Sequence, residues 1–227
     1  GVGSYNEVWF DRGTKVAGGR RTSLITDPPD GRVPALTPEA QKRMDAAREY
    51  YRLHPADGPE DRPLPERCLL WPTAGPPMLP GPYNNMYQII QTKDFVAIQV
   101  EMIHDTRIIP LDGRSHLSGG VSQWMGDSVG HYEGDTLVVE TTNFVDDSWF
   151  GEEGYIHSDA MKVTERLWRL GEDLGYQVTV EDPKMLAEPW TNFPHRVKPS
   201  KVALEESPIC KEDDGNRLLN NDHHLQR

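Results

Sequence analysis

The sequence predicts a mainly β fold: an antiparallel meander or barrel-like sheet, loosely lipocalin-like, with one N-terminal helix and a long proline-rich arm. Between residues 86 and 180, strand-forming runs alternate with turn signals about every eight to twelve residues, which is typical of antiparallel meanders and barrels. Only one segment of the 227-residue chain has convincing helix signals. The chain as a whole contains 20 glycines and 19 prolines, which indicate long ordered loops.

The N-terminal part contains two short predicted strands and this helix. Residues 5–10 (YNEVWF) and 21–27 (RTSLITD) have strand composition, and PPDG closes the second with a strong turn signal. The helix is predicted over 37–54, because Thr37 is a good N-cap and Pro38 occupies the favoured first position.

A proline-rich arm follows at 55–82, where the prolines exclude regular structure by fixing φ and removing backbone donors. A linker between two domains is one interpretation. Apolar residues such as Trp71 and Met78 favour the other, an arm packed over a sheet. We therefore expect one β-rich domain over residues 1–227, comprising the helix, the arm, an antiparallel core and a C-terminal tail (37–54, 55–82, 83–198 and 199–227).

Three hairpins are predicted in the core, each with a short polar turn: MYQIIQ-TKD-FVAIQVEM, SVGHY-EGD-TLVVETTNF and AMKVTERLWRL-GEDLG-YQVTVED. Side chains alternate between the two faces of a strand, so Val96, Ile98 and Val100 share the core face and Glu101 lies on the other. By the same rule Glu165 and Arg166 point to opposite faces, and only one of them looks inward.

The charge balance excludes several classes of partner. With 36 acidic and 24 basic residues the net charge is −12, and no basic surface for nucleic-acid binding is visible. An acidic surface also disfavours anionic membranes, and no apolar run is long enough to span a bilayer. We expect no nucleic-acid partner and no membrane insertion, while self-association stays open.

The candidate catalytic residues are Glu101, His104 and Arg107, which fall within seven residues between two strand-forming runs. A histidine beside carboxylates can act as a general base near neutral pH, and an arginine can bind an anionic group through two hydrogen bonds. The structural alternative is that these side chains pair and satisfy backbone groups at a hairpin reversal, and the residue pattern favours it.

Four further residues are predicted to bind substrate: Asp105, Trp124, His131 and Tyr132. Aromatic side chains near the mouth of a barrel can stack on sugars or aromatic rings, although plain packing is the commoner role. His116 and His131 could join His104 in a metal site. No histidine pair at i, i+2 or i, i+4 fixes such a geometry, so we expect no metal and no other cofactor.

The two cysteines, Cys68 and Cys210, are too far apart in sequence for a metal-binding knuckle. A long-range disulfide and two unrelated buried thiols are both compatible with the composition.

Several segments closely resemble a large family of uncharacterised exported bacterial proteins: RRTSLITDPPDGRVPALTPEAQ, GPEDRPLPERCLLWPTAGPPMLPGPYNNMYQIIQT, EMIHDTRIIPLDGR and QWMGDSVGHYEGDTLVVETTNF. The resemblance implies an export signal upstream of Gly1 and an extracytoplasmic (periplasmic or secreted) location in bacteria. It also implies a disulfide between Cys68 and Cys210 that tethers the tail. Family members tend to have Cys-His-Glu-Gly-Asn near the C-terminus, whereas Lys211 follows Cys210 here, so a role of that histidine does not carry over.

Three functions are compatible with these observations, and whether the protein is an enzyme stays open. The first is a cofactor-independent lyase or hydrolase acting on a small organic or carbohydrate substrate in the barrel, with Glu101 or His104 as acid/base and Arg107 as anion clamp. The second is a structural subunit of an extracellular assembly that exchanges strands or arms. The third is a small-molecule binding protein with the same pocket.

Overall fold

The computed structural model describes residues 23–54, 57–58, 61–65, 67–71, 74–80, 85–146, 149–150 and 155–204. The predicted strand at 5–10, the start of the strand at 21–27 and most of the tail lie outside these ranges.

The described chain contains one α-helix, α1 (Pro38–Leu53), and twelve strands, all of them paired antiparallel within the sheets. The strands are β1 (Ile25–Asp27), β2 (Tyr87–Gln91), β3 (Phe95–Val100), β4 (Thr106–Pro110), β5 (Asp127–Glu133), β6 (Thr136–Thr142), β7 (Trp149–Phe150), β8 (Tyr155–Ile156), β9 (Lys162–Leu170), β10 (Asp173–Glu181), β11 (Trp190–Asn192) and β12 (His195–Val197).

The strands form three sheets. The largest has seven strands in the order β1-β11-β10-β9-β6-β5, with β12 also paired to β10. The second is β2-β3-β4, and the third is the short pair β7-β8. The predicted mainly antiparallel β fold with one helix is confirmed. No ladder among the described strands joins the sheets into a closed barrel, so the barrel is not confirmed.

The three predicted hairpins all form, as β2/β3, β5/β6 and β9/β10. Gly134 and Gly171 sit in the turns of the last two with φ of 59° and 67°, a left-handed conformation that glycine adopts without a Cβ penalty. The predicted core face of β3 is also confirmed, since Val96, Ile98 and Val100 are buried.

Helix α1 begins where its capping residue predicts. The Thr37 hydroxyl oxygen accepts the Ala40 N–H at 3.1 Å, and the hydroxyl donates to the Lys184 carbonyl at 2.7 Å. Arg43 then donates to the backbone carbonyls of Asp146 and His157 at 2.8 and 3.1 Å. These contacts hold the helix against the segments that contain Asp146, His157 and Lys184, and Ala40 is the helix residue that is fully buried.

The core lies between the seven-stranded and the three-stranded sheets. Ile98 and Ile109 from the smaller sheet belong to the same buried cluster as Val139 and Val163 from the larger one. Gly130 in β5 permits this approach, because a Cβ there would lie 2.8 Å from Cγ2 of Ile109. The small sheet therefore packs with its β4 side directly over β5.

The proline-rich arm reaches this core through Met78, which belongs to the buried cluster, and Leu79, which packs against it. Leu64, Leu70, Ala74 and Met78 are all buried. Their burial fits the interpretation of 55–82 as a packed arm rather than a solvated tether. No helix within the described ranges is long and apolar enough to cross a membrane.

Candidate functional site

An ion pair crosses the core between the two sheets. Alternation along β4 turns Arg107 inward with Ile109 and leaves Thr106 and Ile108 exposed. The Arg107 guanidinium meets the Glu165 carboxylate of β9 through both terminal nitrogens, one of them 3.1 Å from Oε1. Arg107 and Glu165 are 4 % and 0 % exposed as side chains. A bidentate pair this deeply buried is rare among apolar core residues.

Glu165 is the inward member of the Glu165–Arg166 pair that alternation predicts. Arg166 points to the outer face of the same sheet and reaches Glu133 at 2.5 Å. The outward pair is solvated and contributes little to stability.

Tyr176 of β10 completes the buried network. Its hydroxyl donates to Oε1 of Glu165 at 2.8 Å and accepts the Met78 N–H at 2.9 Å. The network therefore connects the arm, the small sheet and two strands of the large sheet. We call Arg107, Glu165 and Tyr176 the inter-sheet cluster.

Burial and charge set the protonation of this cluster. Burial raises the pKa of Tyr176 well above its ordinary value, and the Glu165 carboxylate raises it further. Burial alone would lower the pKa of Arg107, but Glu165 offsets this and the net pKa is raised. The phenol is therefore neutral and the guanidinium charged near pH 7.

Two partly exposed side chains border the cluster. The charges of Arg107 and Glu165 both act on the hydroxyl of Tyr87 in β2. Burial of this hydroxyl raises the pKa of Tyr87. His195 of β12 is paired with Tyr176 across the β10/β12 ladder, with ring centroids 4.9 Å apart. Burial lowers the pKa of His195, so the imidazole is neutral near pH 7. His195 thus brings a neutral base beside a neutral phenol.

The reversal between β3 and β4 holds the other predicted catalytic residues. Glu101 is 4 % exposed, and its N–H donates to the Met86 carbonyl at 3.0 Å. The strand ends at Val100, so the face predicted for Glu101 by alternation does not apply. Ile103 in the following 3-10 turn has φ of 63°, a left-handed conformation that is strained for a β-branched residue. The side chain of His104 lies outside the described part.

Arg107 therefore pairs with Glu165, which is distant in sequence, and not with its neighbours in the reversal. The predicted substrate-binding residues take no part in the hydrogen bonds of the inter-sheet cluster. Tyr132 is exposed at the end of β5 and accepts a hydrogen bond from Gln91 at 2.7 Å. His131 is exposed with Nε2 3.4 Å from Glu133, Trp124 is half-buried in the preceding loop, and Asp105 is half-buried.

Two other polar pairs lie outside the inter-sheet cluster, Ser158 with Asp182 and His116 with Asp127. Asp182 accepts the Ser158 hydroxyl at 2.6 Å and the Ser158 N–H at 2.7 Å, so this serine is bonded to a carboxylate rather than to a histidine base. His116 approaches Asp127 with 3.0 Å between Nδ1 and Oδ2. Within the described ranges, no group of three or more potential ligands could hold a metal ion.

Cys68 is not a free thiol. Its predicted partner Cys210 lies outside the described residues, so the Cys68–Cys210 disulfide stays a prediction.

The chain matches no protein-family model, no curated protein and no solved structure. The fold and site therefore define only a broad class, a mainly antiparallel β protein with a charged cluster between two sheets. The resemblance to exported bacterial proteins stays a prediction, as do the location and the partners that it implies.

Sequence reasoning missed Tyr176, His195 and Tyr87 as members or neighbours of the cluster. Each lies in an ordinary strand, with no motif that distinguishes it from core residues. Arg107 was named from the sequence as a candidate catalytic residue, and Glu165 had a signal because alternation required either it or Arg166 to face inward.

Proposed function

We propose that the protein is a cofactor-independent acid/base enzyme, a lyase or hydrolase, acting on a small organic or carbohydrate substrate beside the inter-sheet cluster. The observation that carries the proposal is the contact of Tyr176 with His195 next to a buried Arg107–Glu165 pair.

The energetics of the ion pair support a functional role. Removing two charges from water costs several kcal/mol per ion, and apolar side chains of similar size are often as stable or more stable. Groups with displaced pKa values also concentrate at functional sites. A charged cluster in an otherwise apolar core is therefore weak evidence for stability and better evidence for chemistry.

The proposed roles follow from protonation and exposure. His195, neutral and only partly buried, accepts a proton from the substrate or from water. Tyr176, fully buried and held in its neutral form, is a positioning residue that packs against the His195 ring, and the protonated His195 returns its proton to the leaving oxygen. Arg107 is a positioning residue, because it holds Glu165 and through it the Tyr176 hydroxyl. Glu101 stays a predicted second acid/base.

The test is product formation, followed by proton NMR, from a panel of uronate-containing oligosaccharides and small hydroxy acids. We expect Tyr176→Phe and His195→Gln each to lower turnover about a hundredfold or more. His54→Gln is the matched control, because His54 is exposed at the end of α1 and bonded to Asp57. Full turnover in both Tyr176→Phe and His195→Gln would refute the roles assigned to these two residues. No product from any compound would favour the second candidate.

A structural role is that second candidate. The exposed outer strand β2 favours it, because Ile89 and Ile90 are 41 % and 48 % exposed. An unprotected strand of this kind is a site for sheet extension.

A further inference from the structure

Strand β2 is an edge without the usual protection. Among the described strands it pairs with β3 alone, at the outside of the three-stranded sheet. Natural edges are commonly blunted by charges, prolines or bulges. The segment Tyr87–Gln91 (YQIIQ) contains no charge and no proline, and its five pairs with β3 follow a regular register.

The backbone pattern shows which groups face outward. Residues 86 and 92 bond to β3, since Glu101 N–H donates to the Met86 carbonyl at 3.0 Å and Thr92 N–H to the Phe95 carbonyl at 2.9 Å. Bonding alternates along an antiparallel strand, so even-numbered residues face β3. The backbone N–H and C=O groups of Ile89 and Gln91 therefore face away from the sheet.

The outer face beside this edge carries no charge and includes one apolar row. The register places Ile90, Ala97 and Ile108 in one row across β2, β3 and β4. Ile90 and Ile108 are 48 % and 52 % exposed. The other residues on this face of the three strands are also uncharged: Gln88, Phe95, Gln99, Thr106 and Pro110.

We propose that two copies of this chain associate by antiparallel pairing of their β2 strands, centred on Ile90. Ile89 of each copy then exchanges backbone hydrogen bonds with Gln91 of the other. Ile90 faces Ile90 in a non-hydrogen-bonded pair, where Cα atoms are about 4.5 Å apart. The two small sheets become one six-stranded sheet, and the apolar rows join into one.

The β2 edge fits a second copy of itself, because it carries no charge and the antiparallel register matches Ile90 with Ile90 and Ile89 with Gln91. The chain has a net charge of −12, so two copies repel each other over most of their surface. The β2 edge and its outer face lack charge, and the neighbouring Lys93 and Asp94 form their own pair at 3.9 Å. In the proposed register Lys93 lies opposite Tyr87 and Asp94 opposite Met86, so no like charges meet. A basic partner would be attracted to the acidic remainder instead.

Sedimentation equilibrium of the whole chain tests the proposal, which does not depend on the proposed enzymatic role. The wild type forms a dimer, and Ile90→Lys weakens it about tenfold or more because two lysines then face each other. Ile108→Lys is the matched control, because Ile108 lies on the same face with similar exposure but in β4, two strands away from β2. We expect this variant to leave the dimer intact.

A monomeric wild type would overturn the proposal. So would equal losses in the two lysine variants, because that result places the contact on the face rather than the edge. Circular dichroism confirms folding of each variant. Under oxidation Ile90→Cys cross-links two copies, since the expected Cα separation suits a disulfide. Gln88→Cys, which lies opposite Thr92, cross-links far less, and the reverse order would refute the register.

Discussion

Individual residues carry the chemistry, and His157 and His195 show most directly how environment sets protonation. His157 packs edge-on against Phe144 with ring centroids 5.6 Å apart, and its Nδ1 lies 3.1 Å from the Ser158 carbonyl. Burial lowers its pKa, with the Ser158 carbonyl partly opposing this effect. His195 is shifted in the same direction by burial.

The lowered pKa of His157 predicts a pH dependence of stability. Below the unfolded pKa of about 6.5 the unfolded chain binds a proton that the folded chain excludes, so stability falls as pH falls from 7 towards the folded pKa. We expect the free energy of unfolding, from urea titrations, to be lower at pH 5.5 than at pH 7.5. His157→Gln should reduce this difference, and an unchanged difference would contradict the assignment to His157.

At the level of single residues, the sequence predicted the local chain reversal at the site but not the contacts between distant residues. The spacing of Glu101, His104 and Arg107 correctly identified a chain reversal, because turn-forming residues act locally. The Arg107–Glu165 pair joins residues 58 positions apart, and no local pattern contains that information. Strain at Ile103 is equally invisible in sequence, since isoleucine rarely adopts a positive φ.

At the scale of elements, the sequence predicted what neighbouring residues determine. Alternating side chains and polar turns predicted the hairpins β2/β3, β5/β6 and β9/β10, and Thr37 with Pro38 predicted the start of α1. Pairings between distant strands were not predicted, such as β1 with β11 and β12 with β10. Their short segments have little periodicity, and tertiary contacts select their partners.

Packing between β9 and β10 predicts the effect of one small substitution. Trp168 lies directly across from Gly175 on the outer face, and a Cβ at position 175 would lie 2.3 Å from its ring. We expect Gly175→Ala to lower the free energy of unfolding by about 1–3 kcal/mol, because the indole must leave its position.

Chemical denaturation of Gly119→Ala supplies the control for this substitution. A Cβ at Gly119 meets nothing within 4 Å, and the residue lacks a positive φ. Its stability should stay within about 0.5 kcal/mol of wild type. Equal effects at the two glycines would show that contact with Trp168 does not determine the cost.

Over the whole molecule, two sheets enclose an apolar core that the inter-sheet cluster interrupts. Ile98, Val139 and Val163 provide the hydrophobic burial that holds the sheets together. The Arg107–Glu165 pair adds directional contacts across the same gap, together with the cost of desolvating two charges. Acidic residues outnumber basic ones, 36 to 24, and the resulting net negative charge disfavours association except where the surface is uncharged, as along β2.

We infer that the Arg107–Glu165 pair serves the site and not the stability of the fold. The most direct test is the free energy of unfolding of Arg107→Met, Glu165→Gln and the double variant. Arg107→Met alone leaves a buried carboxylate unpaired and should cost about 3–5 kcal/mol. The double variant removes both charges while the glutamine carbonyl still accepts the Tyr176 hydroxyl. We predict that it recovers to within about 1 kcal/mol of wild type. A double variant as unstable as Arg107→Met would show instead that the pair stabilises the fold as a structural clamp.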